Sequence, residues 1–100
     1  MSTAVKIIFL YTSVPNTAAT EQQQRELLSI LISKGVKIEE IDGANSENKD
    51  LRSTLWALPN SKRAVYPQVY IKRDKDISCI GDFEEVVRLN DELLLDAQLK

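Results

Sequence analysis

Apolar positions along this 100-residue chain change their period several times, and each change predicts an element. The run Val5-Lys6-Ile7-Ile8-Phe9-Leu10-Tyr11 is almost unbroken in β-branched and aromatic residues. That is the pattern of a strand covered on both faces, and it predicts a central strand. Residues 12–19 read as a loop. Thr20-Glu21-Gln22-Gln23 then has the form of a capping box, which predicts a helix from about residue 20. Its apolar residues Leu27, Leu28, Leu31 and Ile32 fall on one stripe expected to face the sheet, Ile30 widens it, and Gly35 supplies a left-handed stop. Residues 36–41 alternate less regularly and carry charge, as an edge strand does. Strand, helix and strand make a βαβ unit, whose right-handed crossover requires parallel strands.

The second half follows different punctuation. After a polar linker at residues 43–47, a helix is predicted over 48–58, with Leu51, Leu55 and Leu58 as its buried face and Trp56 along the rim; Pro59 prevents its continuation. Residues 65–71 and 76–80 are strand-like and separated by the charged turn 72–75, which predicts an antiparallel hairpin. Gly81 ends the second of these strands. Asp82 with Glu85 caps a further helix that turns Val86, Val87 and Leu89 inward. Asn90-Asp91 is expected to break that helix, and a last helical segment over 91–98 is expected to pack Leu93, Leu94 and Leu95 over the sheet end. The order is β-α-β-α-β-β-α, an α/β fold in a single domain over residues 1–100. The predicted sheet order is second, first, third, fourth strand, with the first and third helices on one face and the second on the other.

Composition narrows the chemistry. With 43% hydrophobic and 28% charged residues the chain has ordinary globular usage, and its length accommodates one core. A net charge of -2 provides no long-range field to collect nucleic acid or anionic lipid, so neither nucleic acid nor a membrane is expected as a partner. Histidine is absent and Cys79 is the sole cysteine. Ser-His-Asp and Cys-His nucleophile pairs, a disulfide framework and the soft ligand sets of zinc or iron-sulfur sites are thereby excluded, and no cofactor is expected. Residues 1–4 carry no basic region before the apolar run, and that run is far too short to span a bilayer, so a cytoplasmic location is expected, with the nucleus left open.

Certain residues carry a family resemblance. Tyr11-Thr12 at the end of the first strand, Tyr66-Pro67-Gln68 before the third and Gly81-Asp82 after the fourth resemble the active loop lead-in, the cis-proline and the glycine-aspartate cap of glutaredoxins. Tyr11-Thr12-Ser13-Val14, Gln22-Gln23, Asp42, Leu51-Arg52, Ala57-Leu58, Pro67-Gln68-Val69 and Gly81-Asp82-Phe83-Glu84 resemble the SH3-domain-binding glutamic-acid-rich-like family. The resemblance spans about nine-tenths of the chain. It implies a thioredoxin-like, glutaredoxin-like four-stranded mixed sheet without catalytic cysteines and a cis bond before Pro67. It also implies a groove for an extended peptide, with Thr12, Ser13, Val14, Asn16, Thr17, Tyr66, Pro67, Gly81 and Asp82 as its residues. The Tyr66 backbone would pair with the bound segment as an added strand.

The departures bear on activity. A thiol-disulfide oxidoreductase needs a thiolate at the start of the first helix, and residues 13–20 contain serine, threonine and asparagine but no cysteine. Pro15, Pro59 and Pro67 lie too far apart for a P-x-x-P ligand, so SH3 binding is not carried over. The glutamate-rich tail of the family name has no counterpart in the sequence. The expectation is a non-catalytic adaptor or modulator, not an enzyme, that holds a protein partner through an extended segment. An acidic or C-terminal peptide is favoured by the amides at the two helix starts near Thr20 and Asp82. The alternatives are weak glutathione binding, Cys79 as a redox-responsive thiol, and a small transcription or cytoskeletal regulator. Cys79 has no basic neighbour in sequence and reads first as a packing residue. Lys62-Arg63 and Lys72-Arg73-Lys75 read as solvated turn charges.

Overall fold

The computed structural model describes residues 5–99; the first four residues, with their lack of basic charge, lie outside it. The elements are β1 (Val5–Tyr11), α1 (Ala18–Ser33), β2 (Ile38–Asp42), α2 (Lys49–Trp56, entered through a 3-10 turn at Ser46–Asn48), β3 (Gln68–Arg73), β4 (Asp76–Asp82), α3 (Phe83–Asp91) and α4 (Leu95–Gln98). The sheet order is β2-β1-β3-β4, with β1 parallel to β2 and antiparallel to β3, and β3 antiparallel to β4. This is the thioredoxin-like mixed sheet, with β1 inside it. The Tyr66-Pro67 peptide is cis.

The unbroken apolar run of β1 follows from having helices on both faces. Because successive strand residues point to opposite sides, Ile7 and Phe9 with Val69 and Ile71 of β3 form one layer. Leu27 and Leu31 of α1, Val86 and Leu89 of α3, and Leu95 and Leu99 cover it. Ile8 and Leu10 with Tyr70 and Ile41 form the other, covered by Leu55 of α2, with Leu51, Leu58 and Trp56 partly buried around it. β2, with Ile41 as its single buried residue, is the more polar edge.

Several local expectations are corrected. Thr17, not Thr20, caps α1: its backbone is extended and its hydroxyl accepts from the Thr20 amide at 3.1 Å, so the helix starts two residues earlier. The inward stripe of α1 is Gln24, Leu27 and Leu31, while Ile32 is 62% exposed because the sheet lies on the far side of the helix. Val87 is half-buried and outside both core layers. Asn90-Asp91 does not break α3, which runs through Asp91. The chain reverses at Leu93, which takes φ 61° and is 87% exposed. Leu94 is also exposed, and Leu95 and Leu99, one helical turn apart, bury in place of the Leu93-Leu94-Leu95 trio. β3 begins after Pro67, and β4 continues through Gly81 instead of stopping there.

Gly81 is required twice over. Opposite β3, Val69 faces Gly81 and Tyr70 faces Cys79, so Ile80 is the extra residue of a bulge that re-aims the end of β4. Gly81 has φ 152°, and a Cβ there would lie 2.6 Å from Cβ and Cγ of Glu85. Any side chain would push α3 off the strand end that it continues. Among the described residues no helix is long and apolar enough to cross a membrane.

Candidate functional site

The carboxyl end of β1, the segment before β3 and the start of α3 meet at one edge of the molecule. Gln68, the first residue of β3, is fully buried, and its side chain holds the preceding loop in place. Its Nε2 donates to the carbonyls of Lys62 (2.6 Å) and Val65 (2.9 Å), and its Oε1 accepts from the Lys62 amide at 2.9 Å and the Ser61 hydroxyl at 3.3 Å. Ser61 is bonded in turn to the Tyr70 hydroxyl at 2.8 Å. Burial pushes the Tyr70 hydroxyl up to about 12, so it remains a neutral partner. This network presents Tyr66 and Pro67 as a fixed ledge. Neither the amide nor the carbonyl of Tyr66 hydrogen-bonds to any described residue, while the ring sits over Gly43, where a Cβ would come within 2.2 Å of its hydroxyl.

Across from the ledge, Asp82 caps α3 through Oδ1, which accepts from the Glu85 amide at 3.0 Å. Its Oδ2 accepts from Lys62 Nζ at 2.8 Å. Burial alone would raise the Asp82 pKa, but Lys62 and the Glu85 amide outweigh it and hold the carboxyl below its usual range. Lys62 is therefore part of the site and not a free turn charge. A cavity of about 230 Å³ is lined by Gln23, Lys62, Val65, Tyr66, Pro67, Asp82, Phe83 and Glu84.

The residues of the expected groove divide among different surfaces. Tyr66, Pro67 and Asp82 share this cavity, whose opposite wall is Gln23 of α1 and not the loop before that helix. Thr12 and Ser13 line a separate depression of about 370 Å³ with Phe9, Tyr11 and Pro15. Gly81 lines a third, which shares Lys62, Asp82 and Glu84 with the first. Val14, Asn16 and Thr17 are exposed loop residues directly preceding α1. The loop is nevertheless fixed. Gln24 clamps Thr12, accepting from its amide at 2.8 Å and donating to its carbonyl at 3.1 Å. Asp42 accepts from the amides of Ser13 (3.0 Å) and Ala44 (2.9 Å). Burial would raise the Asp42 pKa, but its hydrogen bonds from Ser13 and Ala44 prevail and lower it.

Gln24, Lys62 and Gln68 are positioning residues outside the expected groove set; in the sequence Lys62 reads as a turn charge and Gln68 only as part of the resemblance. Gln24 carried one signal, a polar residue on the apolar stripe of α1. At the two helix starts Thr17 and Asp82 each accept one backbone amide, and Lys62 pairs with Asp82. Cys79 is half-buried on the α2 face, and burial pushes its thiol up to about 11. Among the described residues no group of three or more Cys, Asp or Glu side chains is arranged to hold a metal.

No protein-family model matches this chain, and no curated protein matches it. Solved structures do. The chain is similar to the C. albicans actin interacting protein Aip5, with 25% identity and a TM-score of 0.65 over 97% of this chain and 88% of that one. It is also similar to Chlamydomonas reinhardtii thioredoxin f2, with 15% identity and a TM-score of 0.55 over 92% of this chain and 82% of that one. With the sheet order, these likenesses establish a thioredoxin-like fold.

Proposed function

We propose that this protein is a non-catalytic interaction module of the cytoplasm, related to the SH3-domain-binding glutamic-acid-rich-like proteins. It holds an extended segment of a protein partner against the Tyr66-Pro67 ledge. The observation that carries this reading is the unpaired Tyr66 backbone, one donor and one acceptor displayed beside a cavity on a loop that Gln68 holds rigid. An extended segment would satisfy both groups as a short added strand. The loop before α1 supports the absence of redox turnover, since a hydroxyl at residues 13–20 cannot form a mixed disulfide. The Cys79 thiol, raised to about 11, holds almost no thiolate at neutral pH. The similarity to an actin interacting protein makes actin the first partner to test.

The experiment is an NMR titration of the labelled protein with monomeric actin and, separately, with glutathione, beside a disulfide reductase assay. Amide shifts with actin centred on Tyr66, Lys62 and Asp82, no turnover, and no response to glutathione are expected. Shifts with actin confined to residues 72–75 would refute the groove placement. Glutathione binding at Tyr66 would favour a residual glutaredoxin-like ligand site, and turnover abolished by Cys79→Ser would overturn the non-catalytic reading.

A further inference from the structure

A further pocket, of about 440 Å³, lies along α2 and shares no lining residue with the groove cavity. Lys49, Ser53 and Ala57 recur along the helix every four residues, with Arg52 and Trp56 beside them, and Arg63 closes the pocket from the following loop. No carboxylate lines it. Lys49, Arg52 and Arg63 form no ion pair with any described residue, whereas Arg25, Lys34, Lys62 and Arg88 each do. Three unneutralised cations in one pocket stand out on a chain of net charge -2.

The hydrogen-bond donors of the lining point the same way. Arg52 donates one NH to the Gly43 carbonyl at 2.7 Å and lays its guanidinium over the Trp56 ring, 4.9 Å from the centroid. Its Nε and the Trp56 Nε1 are both buried and meet no acceptor among the described residues. Buried donors of this kind are rare in folded proteins, because each loses its water without a replacement. Apart from the Ser53 hydroxyl, every side-chain polar group on the pocket lining is a donor only. The complement to such a lining is an acceptor-only anion, and arginine favours a carboxylate through its paired donors.

We propose that this face of α2 docks an acidic segment of a protein partner, whose Asp or Glu side chains are taken by Lys49, Arg52 and Arg63. The length of the stripe favours a segment over one small anion: the seven steps from Lys49 to Trp56 rise about 10 Å along the helix, more than a single phosphate spans. Trp56 meets the Tyr66 ring edge-on at 5.7 Å between centroids, so the two sites adjoin, and the Lys49 and Arg63 variants, neither of which lines the groove, separate them.

Trp56 is the sole tryptophan and reports directly on the pocket. The test is a titration of the full chain with a ten-residue glutamate peptide, followed by tryptophan emission and by calorimetry. A ten-residue glutamine peptide and inorganic phosphate serve as parallel arms at matched ionic strength. Saturable binding of the glutamate peptide alone is expected, weakening as salt rises. Lys49→Glu and Arg63→Glu, both at exposed positions, should each weaken it at least about tenfold, and Lys72→Glu at the far turn less than about twofold. Absence of saturable peptide binding by both methods, equal binding by the two pocket variants, or phosphate binding as tight as the peptide would each overturn the proposal.

Discussion

Gln68→Met separates the hydrogen-bonding role of the buried amide from its volume, since methionine keeps the length of the side chain and cannot make any of its four bonds. Three of those bonds, to the Lys62 carbonyl, the Val65 carbonyl and the Lys62 amide, are 2.6 to 2.9 Å long, and the fourth, from Ser61, is 3.3 Å. Ser61 retains the Tyr70 hydroxyl as a partner, so the fourth bond is discounted. At ~0.5 to 1.5 kcal/mol for each of the three, the loss is about 1.5 to 4.5 kcal/mol. Burying a thioether avoids the desolvation of an amide, which returns part of that amount and leaves about 1 to 3 kcal/mol. Urea denaturation followed by Trp56 emission reads the change as a shift in midpoint at constant slope. Hydrogen exchange at the Lys62 amide should show protection lost locally. A variant within about 0.5 kcal/mol of the parent, with that amide still protected, would refute the claim that Gln68 holds the ledge.

Leu27→Ala, Leu31→Ala and Leu55→Ala each empty a fully buried site and should cost about 2 to 5 kcal/mol in chemical denaturation, while Ile32→Ala, at a 62% exposed position, should cost under about 0.5 kcal/mol. Similar losses at all four positions would contradict the helix faces described above. Asp82 has its folded pKa held below 3.8, so its contribution is present above the ordinary carboxylate range and is lost as pH falls through the folded value. Asp82→Ala should therefore cost about 1 to 2 kcal/mol at pH 7 and progressively less below about pH 4; a gap that is constant down to pH 2 is the contrary result. Cys79, with its thiol at about 11 against an ordinary 9.0, holds roughly a hundredfold less thiolate at pH 8 than a free cysteine, so alkylation by iodoacetamide should be slow and accelerate up to pH 10. Fast alkylation at pH 7 would show that the thiol is not buried as described.

The elements and their layers were legible because the signals for them are local. A seven-residue apolar run, a glycine at a helix end, a proline before a strand and an aspartate three residues before a glutamate each act within a few positions, and they led to the sheet order and to both helical faces. Where two local signals competed, the sequence alone did not decide. The capping-box pattern pointed to Thr20, but the clamp between Thr12 and Gln24 fixes the chain before the helix, and Thr17 is the cap. Leu93, Leu94 and Leu95 are equally apolar, and only the position of the α1 and α3 surfaces selects Leu95.

The candidate sites belong to a different class of information. Lys62 and Asp82 are twenty residues apart, Ser13 and Asp42 twenty-nine, and Gln24 sits twelve residues from the Thr12 backbone that it clamps. No periodicity links such pairs, because the sheet and its crossovers, not the local chain, set their separation. The sequence determined by itself that a thiol-free loop would precede the first helix and that one cysteine would serve no disulfide framework, since composition alone is enough for both. The tertiary structure decided that Asp82 neutralises Lys62 and leaves Lys49, Arg52 and Arg63 without carboxylate partners among the described residues. The physical reason is that a charge is compensated by whatever the packed chain brings within a few ångströms of it.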